Sequence, residues 1–417
     1  MIDRFSRSVA LRNLAFSRGQ SALTVGVVAI SVTLIIFLGA LIGGLQRRLI
    51  SSVTGSIAHV VVRQAERDPV AAWDLPRAPG DPVAVGEAVK LQQRRLKIED
   101  WAVWVPRLRD YDPGVVAVSP VVEGQGILAR GEKRLSVSVT GVYPEMHNKV
   151  VEIQEKLVEG RFHGLNGGEV AIGYKLAEDF ALRLGDKVRI TSSEGNVGDY
   201  AVAGIFDTGF AAVDGRTVFV TLRDAQSLFQ LGTAVTSIGL KLRAIFEADD
   251  LAARLQTQVP YEANSWMRDN QTLLSGLRAQ SQSSNLIVAF TVVASGFGIA
   301  SILIMAVVSK LREIGIYKAI GATRRQILAT FALQGTLLAL LGSLVGTLMG
   351  VGLSFLLMQA RMTASTTGRT IEVFPMMLTG GLVATAVAVA TGVGFVASLY
   401  PAWRAARVNP IDVIRGT

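Results

Sequence analysis

The stretch KLREIGIYKAIGATRRQI, Lys310 to Ile327, is a short charged segment set between two long uncharged runs. No charged residue occurs from Ala279 to Ser309 or from Gln326 to Ala360. Each flank therefore exceeds the roughly 20 apolar residues that a membrane-spanning helix needs. A connection this short between two spans lies at the membrane surface. Its charges are Lys310, Arg312, Glu313, Lys318, Arg324 and Arg325, and this basic excess places it on the cytoplasmic side. The apolar residues Leu311, Ile314, Ile316, Tyr317 and Ile320 fall on several sides of a helical wheel, with Gly315 and Gly321 interrupting the pattern. Such a helix needs cover on more than one side, either from headgroups and neighbouring helices or from a docked cytosolic protein.

Outward from this loop the same pattern recurs. Half of the 417 residues are hydrophobic and the mean hydropathy is +0.40, with the apolar residues gathered in four runs, so the chain reads as an integral membrane protein. Near the N-terminus Arg4, Arg7, Arg12 and Arg18 precede an uncharged run from Gly19 to Gln46. That run is too long for the core of a signal peptide, and no small-residue cleavage site ends it. It predicts a retained first span, about Ala22 to Leu45, with Ser6 to Gln20 along the inner surface. Three further spans are predicted at about Leu286–Ser309, Ile327–Leu357 and Met376–Tyr400, with a short outer loop at Arg361–Glu372 and a C-terminal end inside, near Arg404, Arg407 and Arg415.

The residues between the first two spans differ in character. Short β-branched runs at Ala58–Val62, Val115–Val118, Leu135–Val142, Lys187–Thr191 and Val218–Thr221 alternate with helical stretches at Lys175–Leu184 and Arg223–Leu231. The fold class is thus an α-helical membrane protein with four transmembrane helices and a large α+β extracytoplasmic domain between the first and second. Its parts are residues 1–46, the domain 47–280, and residues 281–417 with the cytoplasmic loop 310–325. Asp68 to Asp112 is rich in proline and charge and reads as an insertion or partly mobile loop, in which Trp73, Trp101 and Trp104 either form a partner surface or pack the loop down.

Charge and motifs exclude several functions. The net charge of +9 could suggest nucleic acid, yet 14 basic and 4 acidic residues lie outside 46–280, so the excess sits beside the membrane as a topology signal. The uncharged spans lack the intramembrane ionisable groups of ion-coupled transporters. ATP is the remaining energy source, but no lysine follows a glycine anywhere in the chain, so the P-loop is missing and the ATPase belongs to another subunit. There is no cysteine, and His59, His147 and His163 have no metal-ligand spacing, which reads as surface or core histidines. No catalytic residue, cofactor site or metal site is predicted on this chain. Gly342, Gly346 and Gly350 recur every fourth residue in the third span, with Gly335 and Gly352 adding to the small surface. The spacing suits a seam between two copies, and intrachain packing meets the same need. The Gly392–Gly394–Ala397 match to a dinucleotide fingerprint lies inside a span, where helix packing explains it.

EIGIYKAIGATRRQI resembles the coupling helix of the FtsX/MacB-type (type VII) ABC transporter permeases, which inserts into a groove of the ATPase. The ending LYPAWRAARVNPIDVIRG is similar to their tail. VTGVYPE, GGEVAIGYKLAEDFALRLGDKVRIT, VAGIFDTGFAAVDGRTVFVTLRDAQSLF and SWMRDNQTLLSGLRAQ resemble the periplasmic domain of the lipoprotein-releasing permeases LolC and LolE. The short connection Thr191–Asp199 departs from the carrier-recruiting hook of LolC, so the resemblance leaves open a LolE-like partner lacking the hook or a different cargo.

The resemblance implies an inner-membrane machine of two permease chains, as homo- or heterodimer, and two cytoplasmic ATPases that hold ATP and Mg. In it Arg312, Glu313, Ile316, Lys318, Ile320, Arg324 and Arg325 meet the ATPase. Leu41, Leu45, Leu286 and Ile287 line a cavity for the acyl chains of a lipoprotein or lipid-like cargo, with a periplasmic carrier as a further partner. Two alternatives share the coupling loop: MacB-like export of an amphipathic compound, and FtsX-like mechanotransmission to an extracytoplasmic partner.

Overall fold

The computed structural model describes residues 9–10, 12, 18–65, 96–363, 370–372 and 374–408. It divides into a helical unit of residues 1–49 and 275–417 and a sheet unit of residues 50–274. Most of the predicted inner-surface stretch Ser6–Gln20, together with Trp73, Arg415 and the section 66–95 of the proline-rich segment, lies outside the described residues.

Among the described residues four helices are long and apolar enough to cross a membrane: the first, Arg18–Thr54; the second, Gln271–Ser309; the third, Arg324–Met358; and the fourth, Gly380–Arg407. The first two outrun the apolar stretches on which the sequence reading rested. Hydropathy marks where lipid-compatible surface ends, whereas the helix continues as long as its backbone bonds do, through QRRLISS and back into LRAQSQSS. The fourth begins later than expected, where the Thr379 side chain caps the Leu382 amide at 3.3 Å, and it runs on through Pro401.

Glycine contacts fix the directions of these helices. The third runs parallel to the first: Gly342 faces Val28, Gly346 faces Ala29 and Val32, and Gly350 faces Thr33 and Ile36. A Cβ on Gly346 would stand 2.5 Å from the Ala29 carbonyl oxygen, and Thr33 Oγ1 donates to the Gly346 carbonyl at 3.1 Å. The glycine ladder is therefore occupied within the chain. Of the two needs the spacing could serve, this is intrachain packing, and spacing alone reveals a close approach but not the partner. The fourth helix is antiparallel to the third, with Ser398 against Gly335 and Gly394 against Ala339. The second is antiparallel to the first, with Gly298 beside Val27 and Gln46 Nε2 donating to Ser281 Oγ at 2.7 Å. Consequently the start of the first helix, the whole Ser309–Thr323 connection and the end of the fourth helix lie at one end of the bundle.

The sheet unit is mixed. Its strands are β1 (Val60–Arg63), β2 (Val115–Arg130), β3 (Lys133–Val142), β4 (Leu157–Gly160), β5 (Glu169–Gly173), β6 (Lys187–Ser192), β7 (Val197–Phe206), β8 (Thr217–Thr221), β9 (Ser237–Leu242) and β10 (Glu262–Ser265). They run β10-β1-β9-β2-β3-β8-β5-β7-β4, and β6 pairs with both β2 and β7, closing a ring of β2, β3, β8, β5, β7 and β6. Strand β2 makes this possible by its length: Val115–Val121 pairs with β9, then Gly126–Ala129 pairs with β6. One core gathers Val60, Val122, Leu128, Val139, Val202 and Leu240, and a second gathers Val121, Val142, Phe162, Phe206 and Phe219.

Two expectations change here. The helix expected at Lys175–Leu184 stops at Asp179, and Ala181 adopts φ +50°, turning the chain toward β6. The described part of the proline-rich segment is ordered structure: Ile98 bridges Val235, Trp101–Asp110 is a helix, Trp101 Nε1 donates to the Thr233 carbonyl at 2.7 Å, and Trp104 meets Tyr261 edge-on. These tryptophans pack the segment down. The Thr191–Asp199 connection is a tight hairpin between β6 and β7, with Gly195 at φ +87° and Arg189 paired to Asp199 at 2.8 Å.

Candidate functional site

The connection between the second and third long helices folds by signals that the sequence carries in full. A short helix, Leu311–Ala319, ends with the Ala322 amide donating to the Tyr317 carbonyl and the Gly321 amide to that of Lys318. This paired stop needs a left-handed residue, and Gly321 supplies it at φ +106°. Two residues later Thr323 caps the third long helix reciprocally. Its side chain accepts from the Gln326 amide, and Gln326 Oε1 accepts from the Thr323 amide at 2.9 Å.

The short helix has an inner and an outer face. Ile314 is buried with Val307, Ile327, Phe331, Ala402 and Ala405, and Tyr317 and Ala322 pack against the same cluster. Lys318 also turns inward. Its ammonium donates to the Ala406 carbonyl at 2.7 Å and to the Val408 carbonyl at 2.6 Å, satisfying carbonyls that the end of the fourth helix leaves without helical partners. Partial burial, then the nearby Arg324, lowers its pKa. The structure thus gives Lys318 an internal bond in place of the outward contact expected of it. Arg312, Glu313, Ile316, Ile320, Arg324 and Arg325 are exposed, with Ile316 at 48% and Ile320 at 80%. Lys310 stands 3.9 Å from Glu313, and Val9 borders the same small cavity as Lys310, Glu313 and Tyr317. The site is an outward surface of two isoleucines ringed by charges, on a helix fastened to the end of the bundle.

Residues 21–258 match the MacB-like periplasmic core domain, and residues 285–410 match the FtsX-like permease C-terminal domain. The chain belongs to the MacB-like periplasmic core domain family. It is a permease of the FtsX/MacB type, a multi-pass inner-membrane subunit of an ABC transporter. The permease is 28% identical to the lipoprotein-releasing system transmembrane protein LolC of Xylella fastidiosa strain Temecula1, over 73% of this chain and 78% of that one. LolC of strain 9a5c is 26% identical over 100% of both chains. A macrolide export ATP-binding/permease protein MacB from Syntrophobacter fumaroxidans is 30% identical over 40% of this chain and 21% of its own. Among solved structures, the periplasmic region of MacB from Actinobacillus actinomycetemcomitans aligns at 13% identity and TM-score 0.33, covering 54% of this chain and 97% of that one.

Two other regions of the permease are the residues expected to line a cargo cavity and a cavity in the sheet unit. Gln46 stands level with Ser281, so Leu41 lies at the height of Leu286 on the antiparallel second helix, with Leu45 about one turn further along. Leu286 and Ile287 are 60% and 51% exposed, while Leu41 and Leu45 are half-buried. In the sheet unit a cavity of 670 Å³ opens over β1, β9, β2, β3 and β8. Its floor includes Gly239, Ser237, Ser138, Thr140 and Thr217, with apolar walls from Ile57, Ile153, Phe210 and Phe219. Sequence reading missed this cavity. The signal available was the run of small and hydroxyl residues at alternate positions of these strands, where an ordinary second core would carry larger apolar groups.

Proposed function

We propose that this permease couples ATP hydrolysis on a separate ATPase chain to extraction of a lipoprotein or lipid-like cargo from the inner membrane, working with a second permease chain. ATP and Mg belong to the ATPase. The supporting observation is the exposed set Arg312, Glu313, Ile316, Ile320, Arg324 and Arg325, carried by the short helix that Lys318 and Ile314 fasten to the fourth long helix, by the residue that ends it and by the start of the third long helix. A push on that surface reaches the bundle through buried contacts. In this reading both termini and the 310–325 loop face the cytoplasm, the sheet unit lies outside between the first and second membrane helices, and Leu41, Leu45, Leu286 and Ile287 face cargo. The similarity to LolC favours lipoprotein over other amphipathic cargo.

The coupling surface is tested by Glu313→Ala combined with Ile320→Ala, two exposed residues whose loss leaves the buried cluster intact. Truncating one member of a desolvated charge pair costs about 2–5 kcal/mol of binding. The double variant is expected to insert normally but to lose its ATPase in co-purification and to abolish cargo-stimulated ATP hydrolysis. Normal association together with normal stimulation would refute the coupling role.

A further inference from the structure

The second and fourth long helices do not close against each other along their whole length. Gly296 meets Val393, but next to this contact an apolar groove of 510 Å³ remains, lined by Val293, Gly296, Phe297, Gly392, Val396 and Tyr400 among others. No neighbouring heavy atom lies within 4 Å of where a Cβ on Gly392 would stand. The groove is open along one side and is shaped for a flexible chain.

One end of the groove is chemically marked. Tyr400 lines it and stacks on Trp403 with ring centroids 6.3 Å apart, and the Arg407 guanidinium lies 3.8 Å from the Trp403 ring centroid. The spacing 400, 403, 407 keeps these groups on one helical face, and exposed Arg404 is one turn from Tyr400. Apolar groove, aromatic pair and guanidinium groups follow one another in the order in which a bilayer passes from acyl chains through the interface to headgroups. Both arginines are at the bundle end that carries the Leu311–Ala319 helix.

We propose that this groove binds one anionic glycerophospholipid of the surrounding leaflet, with an acyl chain along Gly296 and Gly392 and its phosphate at Arg404 and Arg407. The inference rests on the membrane reading of the four helices and not on the cargo or the ATPase. The occupant follows from charge complementarity: a second helix would fill the apolar part but would leave two arginines facing it, whereas a phospholipid satisfies both ends. The site is distinct from the Leu41, Leu45, Leu286 and Ile287 level. A lipid bound here would brace the second and fourth helices beside the coupling helix.

The test uses the full-length protein in nanodiscs of equal phosphatidylglycerol and phosphatidylcholine, with the lipid retained after detergent extraction counted by native mass spectrometry. The native protein is expected to retain phosphatidylglycerol selectively. Gly392→Phe should reduce that retention by roughly tenfold, while Gly352→Phe, also pointing into open space, should leave it unchanged. Arg404→Gln with Arg407→Gln should abolish the preference between the two lipids, an arm that leaves the groove itself untouched. Equal retention of both lipids by the native protein overturns the proposal. So does unchanged retention in Gly392→Phe, or a Gly392→Phe variant that alters only self-association.

Discussion

Buried in the sheet unit, His147 packs its ring against Phe219, with Ser119 Oγ 3.4 Å from Nδ1. Burial alone drives its pKa from 6.5 down to about 4. The unfolded chain therefore binds a proton that the folded chain refuses. The stability this histidine contributes is complete above pH 6.5 and is lost as pH falls toward about 4. Moving from about pH 7.5 to about pH 5 should cost about 2 kcal/mol through this residue. His59 adds to the loss with the same sign, since burial lowers its pKa too. His147→Gln in the full-length protein should give a shallower fall of unfolding temperature over that range, read by thermal denaturation at a series of pH values. A slope equal to the native one would show that the ring is not the titrating group. The sequence identified His147 as a core or surface histidine and could go no further, because nothing local distinguishes the two. Lys318 is different: it lies four residues after Ile314, so the helical period already placed it on the inner face, but the resemblance assigned it an outward contact.

Among the elements, the glycine ladder shows what spacing can and cannot reveal. Gly342, Gly346 and Gly350 were legible as a close-approach surface, and the structure supplies the partner, the first long helix of the same chain. Gly346→Leu would drive a side chain into the Ala29 carbonyl and Val32, an overpacking typically costing about 1–3 kcal/mol and more where backbone must move. Gly352→Leu meets open space and should cost little. Unfolding temperatures in detergent should separate the two variants widely, with the loss in Gly346→Leu independent of protein concentration. A loss that appears only as weakened self-association would restore the intermolecular seam. The stop of the Leu311–Ala319 helix at Gly321 and the start of the third long helix at Thr323 and Gln326 were equally legible, because local backbone bonding dictates them. The long helices were legible in their apolar parts only, since their polar extensions to Thr54 and from Gln271 carry no hydrophobic contrast. The length of β2 was hidden for another reason: Pro120, Gly124 and Gly126 interrupt its β-branched pattern, and tertiary pairing with β9, β3 and β6 overrides that weak propensity.

At the scale of the whole molecule, alternating helix directions bring the start of the first helix, the 310–323 connection and the end of the fourth helix to one end of the bundle, as an even number of spans requires. The sequence reached the same grouping from charge, because basic residues concentrate where the helices end together. It could not reach the ring closure of the sheet unit, which depends on β6 joining strands distant in sequence. The side of the membrane proposed for each part rests on the positive-inside rule, and the chain offers a direct test because it contains no cysteine. Ser193 is exposed at the β6–β7 hairpin and Ala319 is exposed at the end of the Leu311–Ala319 helix; the second position spares the Thr323 cap. In cells with a permeabilised outer membrane, an impermeant maleimide should label Ser193→Cys at once. Ala319→Cys should react only after the inner membrane is opened. Each site is solvent-exposed in the permease chain, and reaction of Ala319→Cys once the inner membrane is opened shows that its earlier silence reports the membrane barrier and not burial. Labelling of Ala319→Cys from outside would invert the topology and remove the coupling helix from any cytosolic ATPase.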